Sequence, residues 1–267
     1  MSPGGDLDHL GTLLFLGDLE SVQAEFAARV KRLSASGLFP VSSDDPHAAA
    51  AAELYALRYG PTRTPIYNVL LLGSVIQPYL RQQHLAVARW LAQTAKVPVD
   101  GTDLSGTTAL GHALSTKPSF DSAFAQILYD AGGDVTVRNR YGGTCAHDLA
   151  QIWDMHDRAT VRKAQGALEW WLAHGGNVDI MDNDGYTVRA GITVGERRGL
   201  TALGDVMRGE DERRRKMSAR VCAFCGREPE GEVKLLTCSR CKKTRYCAPP
   251  RSCQKNDWRK HKGTCKA

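Results

Sequence analysis

A mostly α-helical solenoid of repeated units, followed by a small C-terminal module with too little apolar sequence to build its own core, is predicted by three observations. A short phrase of glycine and threonine recurs through the middle of the chain. The stretches between these phrases carry apolar residues at helical spacing. Residues 222–265 gather seven of the eight cysteines together with one histidine. With 267 residues and 42% apolar composition, the chain is long enough to bury one sizeable core and append a small unit.

Residues 1–60 read as a helical N-terminal segment, in which Gly17-Asp18-Leu19-Glu20-Ser21-Val22 has the form of a turn between two helices and hints at a degenerate first repeat. The start of the chain has no basic stretch, and its apolar run from Leu10 to Leu16 is short and soon interrupted by Asp18. No secretory signal is therefore expected, and no apolar run is long enough for a membrane span. Clustering of the cysteines, with Cys145 alone outside the terminal run, leaves little for a disulfide framework. The expected setting is a reducing one, cytoplasm or nucleus.

Residues 61–206 carry the repeats. The recurring phrases are Gly60-Pro61-Thr62-Arg63-Thr64-Pro65-Ile66, Gly106-Thr107-Thr108-Ala109-Leu110, Gly142-Gly143-Thr144-Cys145-Ala146 and Gly185-Tyr186-Thr187-Val188, with threonine-to-threonine steps of 44, 36 and 43 residues. Each sets a glycine turn before a threonine able to cap a helix. Ahead of three of them stand Val97-Pro98-Val99-Asp100, Gly132-Gly133-Asp134-Val135 and Gly175-Gly176-Asn177-Val178-Asp179, where a helix ends and the chain turns outward. Between these marks Phe120, Phe124, Ile127 and Leu128 share one helical face, as do Ala164, Ala167, Leu168, Trp171 and Leu172. Each unit reads as turn, helix, loop, helix.

This pattern resembles the ankyrin repeat, through Asp103-Leu104-Ser105-Gly106 and Asp182-Asn183-Asp184-Gly185 before the threonine, through Thr64-Pro65-Ile66, and through His147 in the histidine position of the opening. Ankyrin units run at about 33 residues, so two of these units carry insertions, and Thr187-Val188-Arg189 is a poor opening. An irregular helical-hairpin solenoid of another type is the alternative. Either architecture presents an extended surface whose usual use is protein binding. No catalytic constellation is evident. Cys145 stands where ankyrin units carry proline and reads as a small packed thiol; His112, His156 and His174 read as capping or surface residues, and Trp170 and Trp171 as core and rim packing.

Residues 207–220 are charge-dense without apolar period and read as a basic linker or fraying helix; Arg213 to Lys216 also have the composition of a nuclear import signal. From Arg208 onward, 18 Lys/Arg face 7 Asp/Glu, whereas residues 1–207 carry 17 against 22. The body is mildly acidic and the tail basic.

The last unit, 221–267, orders its ligand-type residues as Cys222-x-x-Cys225, Cys238-x-x-Cys241, Cys247, Cys253 and His261-x-x-x-Cys265. Eight such residues fill two tetrahedral structural zinc sites and leave no position open for chemistry. His261 and Cys265, four apart on a short helix, lie on one face as a shared metal requires. A unit this small takes most of its stability from metal.

The stretch Cys253-Gln254-Lys255-Asn256-Asp257-Trp258-Arg259-Lys260-His261 with Cys265, preceded by Arg245-Tyr246-Cys247, resembles the MYND finger. The resemblance implies interleaved, cross-braced sites: Cys222, Cys225, Cys247 and Cys253 on one zinc, Cys238, Cys241, His261 and Cys265 on the other. Five residues, Ala248 to Ser252, separate Cys247 from Cys253 where that family usually has three, which makes Cys253 the least secure ligand. The resemblance also implies a protein-interaction module that takes Pro-containing peptides, with Gln254 bonding backbone carbonyls and Trp258 packing on pyrrolidine. Alternatively, Trp258 closes the small core over the metal.

The expected function is a non-catalytic adaptor or scaffold, in transcriptional regulation or beside a ubiquitin ligase. Nucleic-acid binding is a second reading, through Lys242, Lys243, Arg245, Arg251, Lys255, Arg259, Lys260 and Lys262, although no base-reading helix is evident. An enzymatic reading, as methyltransferase or ligase, finds no supporting motif ahead of the finger.

Overall fold

The computed structural model describes residues 3–36, 45–115, 120–152, 156–229, 231, 233–248 and 252–266, and it divides into two compact units, 1–145 and 146–267.

Unit 1 holds α1 (Pro3–Asp6), α2 (His9–Leu16), α3 (Leu19–Ser36), α4 (Pro46–Ala56), α5 (Ile66–Ile76), a 3₁₀ turn (Pro78–Leu80), α6 (Arg81–Gln93), α7 (Ala109–Leu114) and α8 (Ser122–Asp130). Acidic and hydroxyl side chains start the helices where the sequence places them: Asp8 accepts from Gly11 N at 2.7 Å, Thr108 from Gly111 N at 3.1 Å and Asp121 from Phe124 N at 3.0 Å. Thr64 differs from the expectation. Pro65 takes the N-cap position of α5 and supplies no side-chain bond, and Thr64 Oγ1 instead meets Thr62 Oγ1 at 2.8 Å. α2 packs on α5, α3 on α4, α5 on α6, and α8 on both α6 and α7, and the core of the unit includes Leu14, Leu54, Leu70, Leu91, Leu110, Leu114, Phe124 and Leu128, all fully buried.

Small hairpins precede the helix pairs. Tyr59 pairs with Thr64, and Thr102 with Thr108, and successive hairpins join edge to edge: Leu104 N donates to Thr62 O at 2.8 Å and Arg140 N to Ser105 O at 2.8 Å. Asp103 holds the second hairpin, accepting from Ser105 N, Thr107 N and Ser105 Oγ while its other oxygen lies 2.8 Å from His112 Nε2. Burial pushes its carboxyl up, but these bonds outweigh burial and bring it down to about 2.

A polar knot joins α2, α5 and α6. His84 is fully buried, with Nδ1 2.9 Å from Leu80 O and Nε2 2.8 Å from Phe15 O, and Gln77 Nε2 donates to the same Phe15 carbonyl at 2.9 Å. Gly73 makes the approach feasible, since a Cβ there would fall 2.4 Å from Phe15 O and 2.5 Å from His84 Nε2.

α9 (Cys145–Leu149) begins at the division between the units. Unit 2 continues with α10 (Arg158–Ala173), α11 (Val188–Arg197) and α12 (Thr201–Lys216), then the two-residue strands β1 (Leu236–Thr237) and β2 (Arg245–Tyr246), antiparallel, and α13 (Cys253–His261). Thr187 caps α11 through Ala190 N at 3.1 Å, after a hairpin in which Met181 pairs with Thr187. α10 buries Ala164, Ala167, Leu168, Trp171 and Leu172, the face expected from spacing, and packs on α12, as does α11. Trp170 stacks on His174 at 3.7 Å. At the end of α10, Gly175 has φ +99° and Gly176 leaves no room for a side chain, because a Cβ would meet the Trp171 ring at 2.2 Å.

The stretch read as a basic linker or fraying helix is helix through Lys216. Its charges pair along the helix surface, Glu210 with Arg213 and Arg214, Glu212 with Arg215 and Lys216, at spacings of three and four. The architecture is thus mostly α, with short hairpins set between helices and a small finger after them.

Candidate metal centre

Two Cys-x-x-Cys turns build the finger. Gly226 N donates to Cys222 O at 2.8 Å and Lys242 N to Cys238 O at 3.0 Å. The residue after each second cysteine is left-handed, Gly226 at φ +69° and Lys242 at φ +56°, so the two turns are conformational equivalents. Such turns aim backbone N–H groups at sulfur. At Cys238 the Cys241 amide, and at Cys241 the Thr244 and Lys243 amides, are the leading causes that lower the thiol, for Cys241 to about 6. This prepares the thiolate form that a metal requires.

β1 runs into the second turn and β2 runs from it to Cys247, and Cys238 N donates to Thr244 O at 2.8 Å, closing the hairpin. α13 then brings Cys253, Asp257 and His261, spaced by four, onto one buried face.

The eight residues gather as two sets of four, Cys222, Cys225, Cys247 and Cys253, and Cys238, Cys241, His261 and Cys265, with the ligand atoms of each set within 4.8 Å of one another. All the cysteines are free thiols, and the separations suit a tetrahedral ion. Cys225 Sγ lies 3.5 Å from Cys247 Sγ, Cys238 Sγ 3.8 Å from Cys265 Sγ, and Cys241 Sγ 3.6 Å from His261 Nε2. Zn–S bonds of about 2.3 Å at tetrahedral angles put sulfurs about 3.8 Å apart, and sulfur and nitrogen about 3.5 Å apart; a disulfide would need about 2.05 Å. His261 turns Nδ1 toward Thr244 Oγ1 at 3.4 Å, leaving Nε2 for the metal. Cys253 stands in the first set; residues 249–251 of the insertion before it, including Arg251, lie outside the described residues.

The finger's core consists of the cysteines with Phe224 and Tyr246, and Ile180 from the turn after α10 packs against it. Tyr246 Oη donates to the buried Asp257 carboxylate at 2.7 Å. Asp257 was missed by ligand counting. Its signal was its position, midway between Cys253 and His261 on the buried face.

Also missed were the donors that bind the first Cys-x-x-Cys turn to α10–α12. Arg214 Nη1 donates to Phe224 O at 3.0 Å and Nη2 to Gly176 O at 2.8 Å, Arg213 Nη2 to Gly226 O at 2.7 Å, and Asn177 Nδ2 to Phe224 O at 2.8 Å. Lys260 of α13 pairs with Asp179 at 2.6 Å. Burial pushes the Asp179 carboxyl up, but hydrogen bonds from Arg189 and Lys260 outweigh it and hold the group below its ordinary range. A polar cavity of about 320 Å³ lies here, lined among others by Leu172, Asp179, Arg189, Met207, Arg214 and Lys260. Its charges are mutually paired, Arg189 with Asp179 and Asp211, Arg214 with Glu210.

Residues 222–265 match the family model of the MYND finger. The chain ends in a MYND finger. MYND fingers bind zinc, and the two sets of four correspond to two ions. No curated protein matches the chain. Among solved structures it is similar to an ankyrin repeat protein at 15% identity (74% of this chain, 95% of that one, TM-score 0.42). It is also similar to an ankyrin repeat domain from Acinetobacter baumannii at 15% identity (74% and 94%, TM-score 0.39) and to the ankyrin repeat domain of Bcl-3 at 18% (76% and 86%, TM-score 0.41). Among the described residues no helix is long and apolar enough to cross a membrane.

Gln254 and Trp258 are exposed on α13 beside its buried face, with Trp258 43% accessible and its ring 6.1 Å from that of His261. Of the cations considered for nucleic acid, the described ones are exposed on the finger; Lys260 is paired with Asp179, and Arg245 donates to Ala219 O.

Proposed function

We propose that the chain is a non-catalytic adaptor. Cys222, Cys225, Cys247 and Cys253 hold one zinc and Cys238, Cys241, His261 and Cys265 the other. The metal's contribution is to fix the finger's fold; each set of four completes a tetrahedron and leaves no site for water or substrate. The finger takes Pro-containing segments of a partner protein, and the ankyrin-like repeats at 61–206 take a second protein. Recruitment of this kind fits a transcriptional regulator or a ubiquitin-ligase adaptor.

The observation that carries this reading is the exposure of Gln254 and Trp258, one helical turn apart, on the flank of a helix whose buried face holds Cys253 and His261, with the indole 6.1 Å from the His261 ring and still open to solvent. An indole that served only to cover metal would be buried with Tyr246. An amide beside an open ring suits extended backbone, whose carbonyls the amide bonds and whose pyrrolidines the ring covers. Trp258→Ala should lose at least tenfold in affinity for a proline-rich partner segment while two zincs per chain remain. Loss of zinc in that variant would show a purely structural role.

A further inference from the structure

Gln254, Trp258 and Lys262 follow one another at steps of four along α13, and Lys255 and Arg259, also four apart, run beside them one residue over. Lys262 continues the right-handed helical backbone at the C-cap, so the pattern holds to its end. All five side chains are exposed. The exposed face of α13 is therefore an amide–indole stripe edged by three cations. The helix's only carboxylate, Asp257, lies on the other, buried face against Tyr246 Oη, and Lys260, on the far side, is taken by Asp179. Among the described residues no ion pair involves Lys255, Arg259 or Lys262.

We infer that the segment captured by the finger is acidic: proline or another apolar residue on Trp258, with Asp or Glu beside it facing Lys255, Arg259 and Lys262. The inference rests on the reading of Gln254 and Trp258 as a peptide site and adds the charge of the occupant. Three unpaired cations beside one apolar platform, with no free anion on that face, repel basic segments and favour acidic ones. The finger contains three aromatic residues, and the other two, Phe224 and Tyr246, are buried. A single indole gives a nucleic-acid strand one stacking platform, where strand-binding grooves use successive ones. The peptide is therefore the better-matched anion.

The test uses the full zinc-loaded chain and fluorescein-labelled peptides with an Ala-Pro-Pro-Leu-Pro core flanked on both sides by Glu-Glu, Gln-Gln or Lys-Lys, read by anisotropy. The Glu-flanked peptide should bind about tenfold tighter than the Gln-flanked one at low salt, the gain expected from a few exposed charge pairs, and the difference should shrink as salt is added. K255Q/R259Q/K262Q should erase that preference while keeping Gln-peptide binding and two zincs. W258A should weaken all three peptides. Equal binding of Glu and Gln peptides, both lost in W258A, would overturn the acidic assignment and leave the peptide site standing. Binding of none of the peptides would overturn both. A single-stranded oligonucleotide that displaces the Glu peptide and binds tighter than it would reassign the cations to nucleic acid.

Discussion

Three consecutive arginines on α12 give a graded test of how the finger is held. Arg214 is the most enclosed, its side chain 19% exposed, with Glu210 at 2.5 Å, Gly176 O at 2.8 Å and Phe224 O at 3.0 Å. Replacement by leucine keeps the apolar stem and removes the fork. Phe224 O keeps Asn177, and Glu210 keeps Arg213 at 2.6 Å, but the buried Gly176 carbonyl loses its side-chain donor. An orphaned buried carbonyl costs about 1–3 kcal/mol and each charge-assisted bond removed about 1 kcal/mol more, so Arg214→Leu should cost about 3 kcal/mol. Arg213, more exposed and with one carbonyl partner, should lose less. Arg215, 74% exposed and bonded to Glu212 alone, should show no measurable change. Urea unfolding at saturating zinc, followed by tryptophan fluorescence, gives the three values, and zinc release to a chromogenic chelator should quicken in the same order. An Arg214→Leu protein as stable as Arg215→Leu, or one with unchanged zinc release, would refute the carbonyl-clamp argument.

Other outcomes follow from single contacts. Gly73→Ala places a methyl 2.4 Å from Phe15 O and should destabilise unit 1 by about 2–3 kcal/mol despite alanine's better helix propensity; an unchanged urea midpoint would mean the His84 knot is looser than described. Asp103, ordinarily near 3.8, is lowered to about 2 in the fold, so its contribution, about 1 kcal/mol once solvent screening is allowed for, is complete above pH 4 and lost as pH falls from about 4 to about 2. Asp103→Asn should flatten that acid limb of the stability profile; an identical limb would remove Asp103 from the account. Cys253→Ser should lower zinc from two ions per chain toward one, measured by metal analysis of the purified full chain, whereas a value still at two would shift the first set to a ligand other than Cys253.

Much of this was legible because each signal was local. Thr108 and Thr187 cap helices from the phrases that marked them, and Trp171 packs where helical spacing put it. The cysteine run could be read because metal ligands in small modules are separated by short, stereotyped turns. What escaped in α12 is its non-local cohesion: Arg213 and Arg214 read as solvated charge until carbonyls 10 to 38 residues away in sequence come into reach. Asn177 escaped for the same reason, as its partner lies 47 residues on. His84 has no periodic signature either, since its role depends on the carbonyl end of α2, 69 residues earlier.

The clamp on the first Cys-x-x-Cys turn also orders events during synthesis. Asn177, Arg213 and Arg214 leave the ribosome before Phe224, Cys225 and Gly226 do, and the carbonyls they need take their places only once the turn has closed around metal. The last repeat thus finishes folding after the final segment has emerged and zinc has arrived. A chain made in zinc shortage would leave Asn177, Arg213 and Arg214 without these carbonyls and Ile180 uncovered at the end of its repeats, exposed apolar surface that chaperones and proteases recognise as unfinished.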